Sequence, residues 1–279
     1  MKDKELFEEG EPVEEERTIA GYSEAEAVKI LKALKRGQPI KKKRYTIGQK
    51  NTRWGVISDT HWGNRVSDKG LYEHAVKEFK RRKVDFVTHV GDVCDGLYTN
   101  RPGHVYELEA IGADEQMNLA ADLLSQIDQP IFMITGNHTR NTFHRNAGLE
   151  IGHSLERMVD GLHYIGNGEG DIELNRGVKL KLMHPDGGTA YAISYKSQKL
   201  VESFGGGEKP HILEIGHFHK AEYIFYRNIH VIQAATLCGQ TPFMRGKQLP
   251  AHKGFWICTA NIGKRGVAKF TPEFYPAYD

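Results

Sequence analysis

Five short apolar runs in this chain each stop at a cluster of Asp, Asn and His residues, and that repeated edge limits the folds open to it. Arg53–Ser58 ends in Ser58-Asp59-Thr60-His61, Val84–Val90 in Gly91-Asp92-Val93-Cys94-Asp95, and Ile131–Thr135 in Gly136-Asn137-His138. Further on, Val178–Met183 runs into His184, and Ile212–Ile215 into Gly216-His217-Phe218-His219. Apolar runs this short, bounded by turn residues, read as buried strands. Between the first three lie segments with helical spacing, Asp68–Lys83 (through Leu71, Ala75, Val76 and Phe79) and Ala113–Ile127. Strand–helix–strand–helix–strand predicts an α/β layered sheet, and in such sheets the carboxyl ends of the strands share one crevice. The three early clusters are therefore expected to converge.

The second half is richer in strands. Leu162–Ile165, Asp171–Leu174, Glu222–Tyr226, His230–Ala234 and Phe255–Ala260 join the two runs above, with one helix at about Tyr191–Phe204. Two facing sheets with helices outside accommodate this count. If the segment after Ile215 stays extended, alternation puts His217 and His219 on one side. His184-Pro185-Asp186-Gly187-Gly188 leads toward the helix, whose first amides could face an anion.

Residues 1–50 differ from the rest and are read as a charged extension, with the main domain at 51–279. Their first stretch is dominated by carboxylates. Ser23-Glu24-Ala25-Glu26 then matches a capping box, followed by Ala27, Ile30, Leu31 and Leu34 at helical spacing and a Gly37/Pro39 stop. Lys41-Lys42-Lys43-Arg44 follows as a basic linker. The acidic start has no apolar core, so it is not read as a secretory signal. No apolar run approaches the roughly 20 residues of a membrane span. Three widely spaced cysteines without a CxxC argue against a disulfide framework and for a reducing cytoplasm. The formal net charge of +2 gives no overall polyanion-binding character.

Asp, Asn and neutral imidazole together suit Mn²⁺, Fe, Zn²⁺ or Ni²⁺ better than soft, thiophilic ions. One carboxylate set between two such ions can bridge them, and a metal pair polarises a phosphoryl oxygen and lowers the pKa of water. The glycines before Asp92, Asn137 and His217 allow sharp turns there.

The ordered set DxH, GDxxD, GNH, H and GHxH, running from residue 59 to 219, resembles the calcineurin-like metallophosphoesterases. The resemblance implies a four-layer α/β/β/α metallophosphoesterase sandwich holding two divalent metal ions, Mn²⁺ first among them. It implies one ion on Asp59, His61 and His219, another on Asn137, His184 and His217, and Asp92 between them. His138 looks like the family's catalytic histidine, with Asp95 behind it. The chain departs from the family after GNH, where an acid usually orients the histidine: here Thr139 and Arg140 follow, and Asp95 is the candidate replacement.

Within that family SDTHWGN, VGDxxD and Gly239–Phe243 (GQTPF) look most like DNA-repair exonucleases of the SbcD type. That likeness implies a DNA exo- or endonuclease with a replication or repair partner. Arg140, His104 and His144 are the candidate substrate contacts, and basic segments at Arg81–Lys83, Arg145, Arg245 and Lys247 are compatible with a polyanion. Trp62, Tyr98, Phe143 and Phe243 could stack on unpaired bases, although plain packing is the simpler account of each. The alternatives are an enzyme of small phosphodiesters, nucleotides or phosphoproteins, and a non-catalytic metal-binding module of a replication or repair assembly.

Overall fold

The computed structural model describes residues 18–19, 22–23, 25–28 and 45–278. The chain divides into two compact units, residues 1–43 and 44–279. In the first, Thr18–Ile19 pairs antiparallel with Tyr22–Ser23 and residues 25–28 are helical. The capping box is closed in both directions. Glu26 N–H donates to Ser23 Oγ at 3.4 Å, and Ser23 N–H donates to Glu26 Oε2 at 3.1 Å. The acidic start, the rest of that helix and Lys41–Arg44 lie outside the described residues.

The second unit holds two six-stranded sheets. Sheet I contains β2 (Asn51–Ile57), β3 (Phe86–Val90), β4 (Ile131–Thr135), β5 (Leu162–Asn167), β11 (Gly254–Gly263) and β12 (Gly266–Pro276), in the order β12-β11-β2-β3-β4-β5. Sheet II contains β1 (Tyr45–Ile47), β6 (Glu169–Leu174), β7 (Lys179–Met183), β8 (Ile212–Ile215), β9 (Ala221–Tyr226) and β10 (Ile229–Ala234), in the order β9-β10-β8-β7-β6-β1. β2, β3, β4 and β5 run parallel, as do β7, β8 and β10. Helices α1 (Lys69–Arg82), α2 (Ala113–Leu124) and α3 (Ile151–Met158) belong with sheet I, and α4 (Tyr195–Ser203) with sheet II.

Strand alternation sorts the side chains into three cores. Trp54, Val56, Phe86, Val90, Phe132 and Ile134 from sheet I meet Leu180, Leu182, Ile212 and Ile232 from sheet II in the central one. Ile57, Val87, Ile131 and Met133 point the other way, against Tyr72, Phe79, Leu124 and Leu155 of the helices. Leu213, Ile215 and Val231 pack on Val201 of α4. The result is the expected four layers, α/β/β/α. In β2, Gly55 faces α1, and a Cβ there would lie 2.4 Å from the Phe79 ring, so only glycine lets the helix sit this close.

The expected element ends hold closely for α1, where Asp68 accepts from Leu71 N–H as N-cap and Lys83 closes the helix in the left-handed region. The segment read as a helix from Tyr191 differs. α4 starts only at Tyr195, four residues later than expected, after an N-cap Ser194 whose side chain makes no capping hydrogen bond. β12 and α3 were not foreseen. β12 is an edge strand with two prolines and few buried residues, which leaves little alternation to read. Among the described residues no helix is long and apolar enough to cross a membrane.

One charge sits in the central core. Glu214 is fully buried on β8 and accepts from Trp54 Nε1–H at 2.6 Å. Burial, resisted by the hydrogen bonds to Trp54 and Thr88, pushes its carboxyl up to about 7, above the ordinary 4.5. The folded state therefore prefers the protonated acid. Stability is expected to be full below pH 4.5, to fall by up to roughly 3 kcal/mol as pH rises to 7, and to stay flat beyond. Glu214→Gln should remove that fall, which denaturant titrations of both proteins at pH 5 and pH 8 would show.

Candidate metal centre

All five clusters lie at the carboxyl ends of parallel strands, three from sheet I and two from sheet II, so the packing of the two sheets brings them to one mouth. The loops after β2 and β3 are zipped together by their backbones. Asp59 N–H donates to Gly91 O (3.0 Å), His61 N–H to Asp92 O (3.0 Å) and Trp62 N–H to Val93 O (2.9 Å). Asp95 N–H returns a bond to Trp62 O (3.1 Å). The loop after β8 joins them, since His217 N–H donates to both Asp59 carboxylate oxygens at 3.1–3.2 Å.

The backbone here is not extended. Asp59, His61, Asp92, His217 and His219 all have φ between 47° and 79°. A left-handed conformation costs an ordinary residue about 1–2 kcal/mol, and such strain collects at functional sites. The alternation argument for His217 and His219 therefore fails. Left-handed turns aim the two rings, and they enter different groups of potential ligands.

Three overlapping groups form: Asp59, His61 and His219; His61, Asp92 and His138; and Asp92, His184 and His217. In each, the potential ligand atoms lie within 4.8 Å of one another. Asp92 belongs to two of them. His61 Nε2 stands 3.1 Å from His219 Nε2, with Asp59 Oδ1 3.2 Å from the latter. His184 Nε2 lies 2.9 Å from Asp92 Oδ2 and 3.1 Å from Asn137 Oδ1. Neutral imidazole nitrogens this close gain little from each other; they suit a cation set between them.

The far side of the rings supports the same fit. His61 Nδ1 donates to Asp95 Oδ1 (2.9 Å) and His184 Nδ1 to Val90 O (2.7 Å), which turns Nε2 of each toward the cluster, where the neutral ring offers its lone pair. His217 is turned about: its Nε2 donates to Gly187 O (2.6 Å), leaving Nδ1 for the cluster. His219 Nδ1, by contrast, is buried without a hydrogen-bond partner. Burial opposes ionisation of Asp59 and Asp92, yet His219 beside the first and His184 beside the second hold both carboxyls below the ordinary range.

Asp95 is the hub behind this cluster. Its Oδ1 takes His61 Nδ1 and stands 3.1 Å from His138 Nδ1, while Oδ2 accepts from His104 Nε2 (2.9 Å) and Asn64 Nδ2 (3.0 Å). His138 Nδ1 also reaches the Asp95 carbonyl at 2.9 Å, and its N–H donates to Asp92 Oδ1 at 2.9 Å. Burial works against a charge on His138, but Asp92 and Asp95 outweigh it and push the ring up to about 10. The carboxylate missing after GNH is thus supplied from the β3 loop.

Of the expected substrate contacts, His104 lines the cleft but is spent on its neighbours, and Arg140 and His144 stand elsewhere. His104 is buried, with Nε2 on Asp95 and Nδ1 accepting from Tyr98 N–H (3.3 Å), so neither nitrogen is open to a ligand. Arg140 is ion-paired with Asp186, and His144 is exposed within the π turn Arg140–His144. Neither lines the cleft beside the cluster, which encloses about 360 Å³. Its walls include Tyr98, Arg101, Thr189, Phe218, Thr241 and Phe243. Trp62 and Phe143 are buried packing residues, whereas Tyr98 and Phe243 face the cleft. Thr241 caps the short helix α5 (Pro242–Gly246) that carries Phe243. Arg101 was missed; its only sequence signal was a place in the long Gly96–Gly112 loop. Arg81 and Arg82 pair with Glu78 and Glu273 at the end of α1, which leads into the start of β3, the far edge of the sheet.

Glycine is required at the turns before Asp92, Asn137 and His217, the last because a Cβ at Gly216 would lie 2.3 Å from Val90 O. At Gly91 (φ +94°) a Cβ would lie 2.3 Å from His184 Nδ1, and at Gly136 one would lie 2.3 Å from Asp92 Oδ1. Gly91→Ala is expected to push His184 off its Val90 bond and to weaken divalent-metal binding on the order of 10²-fold. Calorimetric titration with Mn²⁺ checks this, and wild-type affinity in the variant would remove His184 from the ligand set.

The profile described as calcineurin-like phosphoesterase matches residues 52–234. No curated protein sequence matches the chain. Similar solved structures include an archaeal phosphodiesterase, 13% identical over 80% of this chain and 100% of that one, with a TM-score of 0.47. Yfce, a phosphoesterase from E. coli, is 12% identical over 79% and 98%, with a TM-score of 0.43. Vps29 from Entamoeba histolytica, in complex with zinc, is 14% identical over 81% and 99%, with a TM-score of 0.41.

Proposed function

Because this chain belongs to the calcineurin-like phosphoesterase family, we propose that it is a dinuclear metal-dependent phosphodiester hydrolase acting on DNA. One observation carries the hydrolase reading. Three groups of Asp and His converge at one mouth, two of them sharing Asp92, and His138, a member of one of those two, is held on Asp95. In this reading Asp59, His61 and His219 hold one ion, Asn137, His184 and His217 the other, and Asp92 serves both. Bound there, two divalent ions would polarise the phosphoryl group and activate water. The mixed oxygen and nitrogen donors suit Mn²⁺.

The protein's own part is orientation and proton handling. With Nδ1 tied to Asp95, His138 turns Nε2 toward the cleft, and Asp92 and Asp95 favour its charged form. It is then placed to give a proton to the leaving ester oxygen. Bound cations would offset the Asp92 charge and bring its pKa down toward neutrality, where an acid of this kind works best.

DNA as substrate is supported by the SbcD-like motifs and by a cleft that offers Tyr98, Phe243 and Arg101, with Arg245 and Lys247 exposed on and just beyond α5. A replication or repair partner and a cytoplasmic location belong to the same reading, the latter in keeping with three buried, unpaired cysteines. The test is a panel of linear single- and double-stranded DNA, bis-p-nitrophenyl phosphate and a phosphopeptide, each with Mn²⁺. Degradation of DNA is expected. Turnover of the small esters with DNA left intact would overturn the nuclease assignment, and Mn²⁺ binding with no turnover at all would favour the non-catalytic module.

A further inference from the structure

Arg101 lies against two aromatic rings at the cleft. Its guanidinium carbon is 5.1 Å from the centre of the Tyr98 ring and 5.2 Å from that of Phe243. Among the described residues that line the cleft it is the one Lys or Arg. The turn that carries it is tied down, with Arg101 N–H on Tyr98 O (3.0 Å), His104 N–H on Arg101 O (2.8 Å) and His104 anchored on Asp95. The same Tyr98 ring meets His138 edge-on at 5.4 Å. Tyr98 thus touches both the guanidinium and the histidine of the metal centre.

A guanidinium resting against two aromatic rings keeps its N–H edge for a ligand, and that edge matches the oxygens of a phosphate. Its one acidic neighbour, Glu107, is 4.0 Å away and leaves most of the five donors unused. Phe243 is 50% exposed, so part of its ring surface is open for a base. The phosphate being hydrolysed has its own partners in the Asp/His cluster and His138.

We infer that Arg101 and Phe243 form a subsite for the nucleotide next to the scissile phosphodiester, Arg101 holding its phosphate and Phe243 stacking on its base. This rests on the hydrolase reading and narrows the substrate to nucleic-acid strands with unpaired bases. The subsite favours a strand over an isolated phosphodiester because only a strand carries a second phosphate.

The test compares single-stranded oligothymidylate with bis-p-nitrophenyl phosphate, which has no second anion and no base. Arg101→Met keeps the stem packed against the rings and removes the charge. It is expected to lower kcat/KM for the oligonucleotide roughly 10- to 100-fold more than for the small ester, and to reduce the salt slope of oligonucleotide binding by about one. Phe243→Ala, at an exposed position, should weaken binding of oligothymidylate but not of an abasic strand of the same length. Equal losses on both substrates would put Arg101 at the scissile phosphate and overturn the inference, as would wild-type selectivity in Arg101→Met. If the wild-type protein hydrolyses neither compound, the hydrolase reading fails by itself. Equilibrium binding of oligothymidylate in Ca²⁺ then still decides: affinity and salt slope unchanged in both variants refute the subsite, and loss in both upholds it.

Discussion

Asp92→Asn is expected to leave a folded protein that hydrolyses phosphodiesters on the order of 10³-fold more slowly and no longer gains stability from Mn²⁺. The carboxylate is buried, lies 2.9 Å from His184 Nε2, accepts from His138 N–H and belongs to two of the three ligand groups. An amide at this position still accepts from His138 N–H, so the loop after β4 keeps its anchor. What it loses is the negative charge that serves both halves of the centre. Thermal melts with and without Mn²⁺ separate the outcomes. In wild type, metal raises the melting temperature by mass action, and in the variant the two curves should coincide. A variant that still responds to Mn²⁺ as wild type does would show that the ions, if bound, do not depend on Asp92.

Asp95→Asn is expected to act through the histidines it holds. The carboxylate faces His61, His138 and His104 as well as Asn64; burial opposes its charge, but the three imidazoles hold its pKa well below the ordinary range. An amide can accept from one side only and turns a donor toward the other, so at least one ring loses its partner. Metal affinity should fall roughly 10- to 100-fold through His61, and kcat on the order of 10²-fold through His138. The pH profile distinguishes this from simple misfolding. Asp95 helps raise the pKa of His138, so its removal lets the ring lose its proton at lower pH. The alkaline limb of kcat should therefore move to lower pH. A profile of unchanged shape with a lower plateau would mean that Asp95 has no hand in proton transfer.

The metal-centre residues were readable because each follows its strand directly. A strand's apolar pattern is local, and the residue at its carboxyl end must lie at the crevice whichever helix comes next. Order along the chain was therefore enough to expect Asp59, His61, Asp92, Asn137, His184, His217 and His219 at one mouth, where the structure brings them together. The same logic fails one loop further out. His104 and Arg140 sit close in sequence to the cluster, yet the first is spent on Asp95 and the second on Asp186. Arg101 and Phe243 lie far apart in the chain and meet only across the cleft.

By itself, then, the sequence determined the layered α/β class, the family and the set of side chains at the strand ends, because each depends on short-range pattern. Tertiary structure alone decided how those side chains are aimed: left-handed turns at Asp59, His61, Asp92, His217 and His219, the single carboxylate of Asp95 shared by three rings, and the cation held against two aromatic rings at the cleft. Such arrangements come from contacts between loops that follow different strands, and no residue in one loop signals its partner in another.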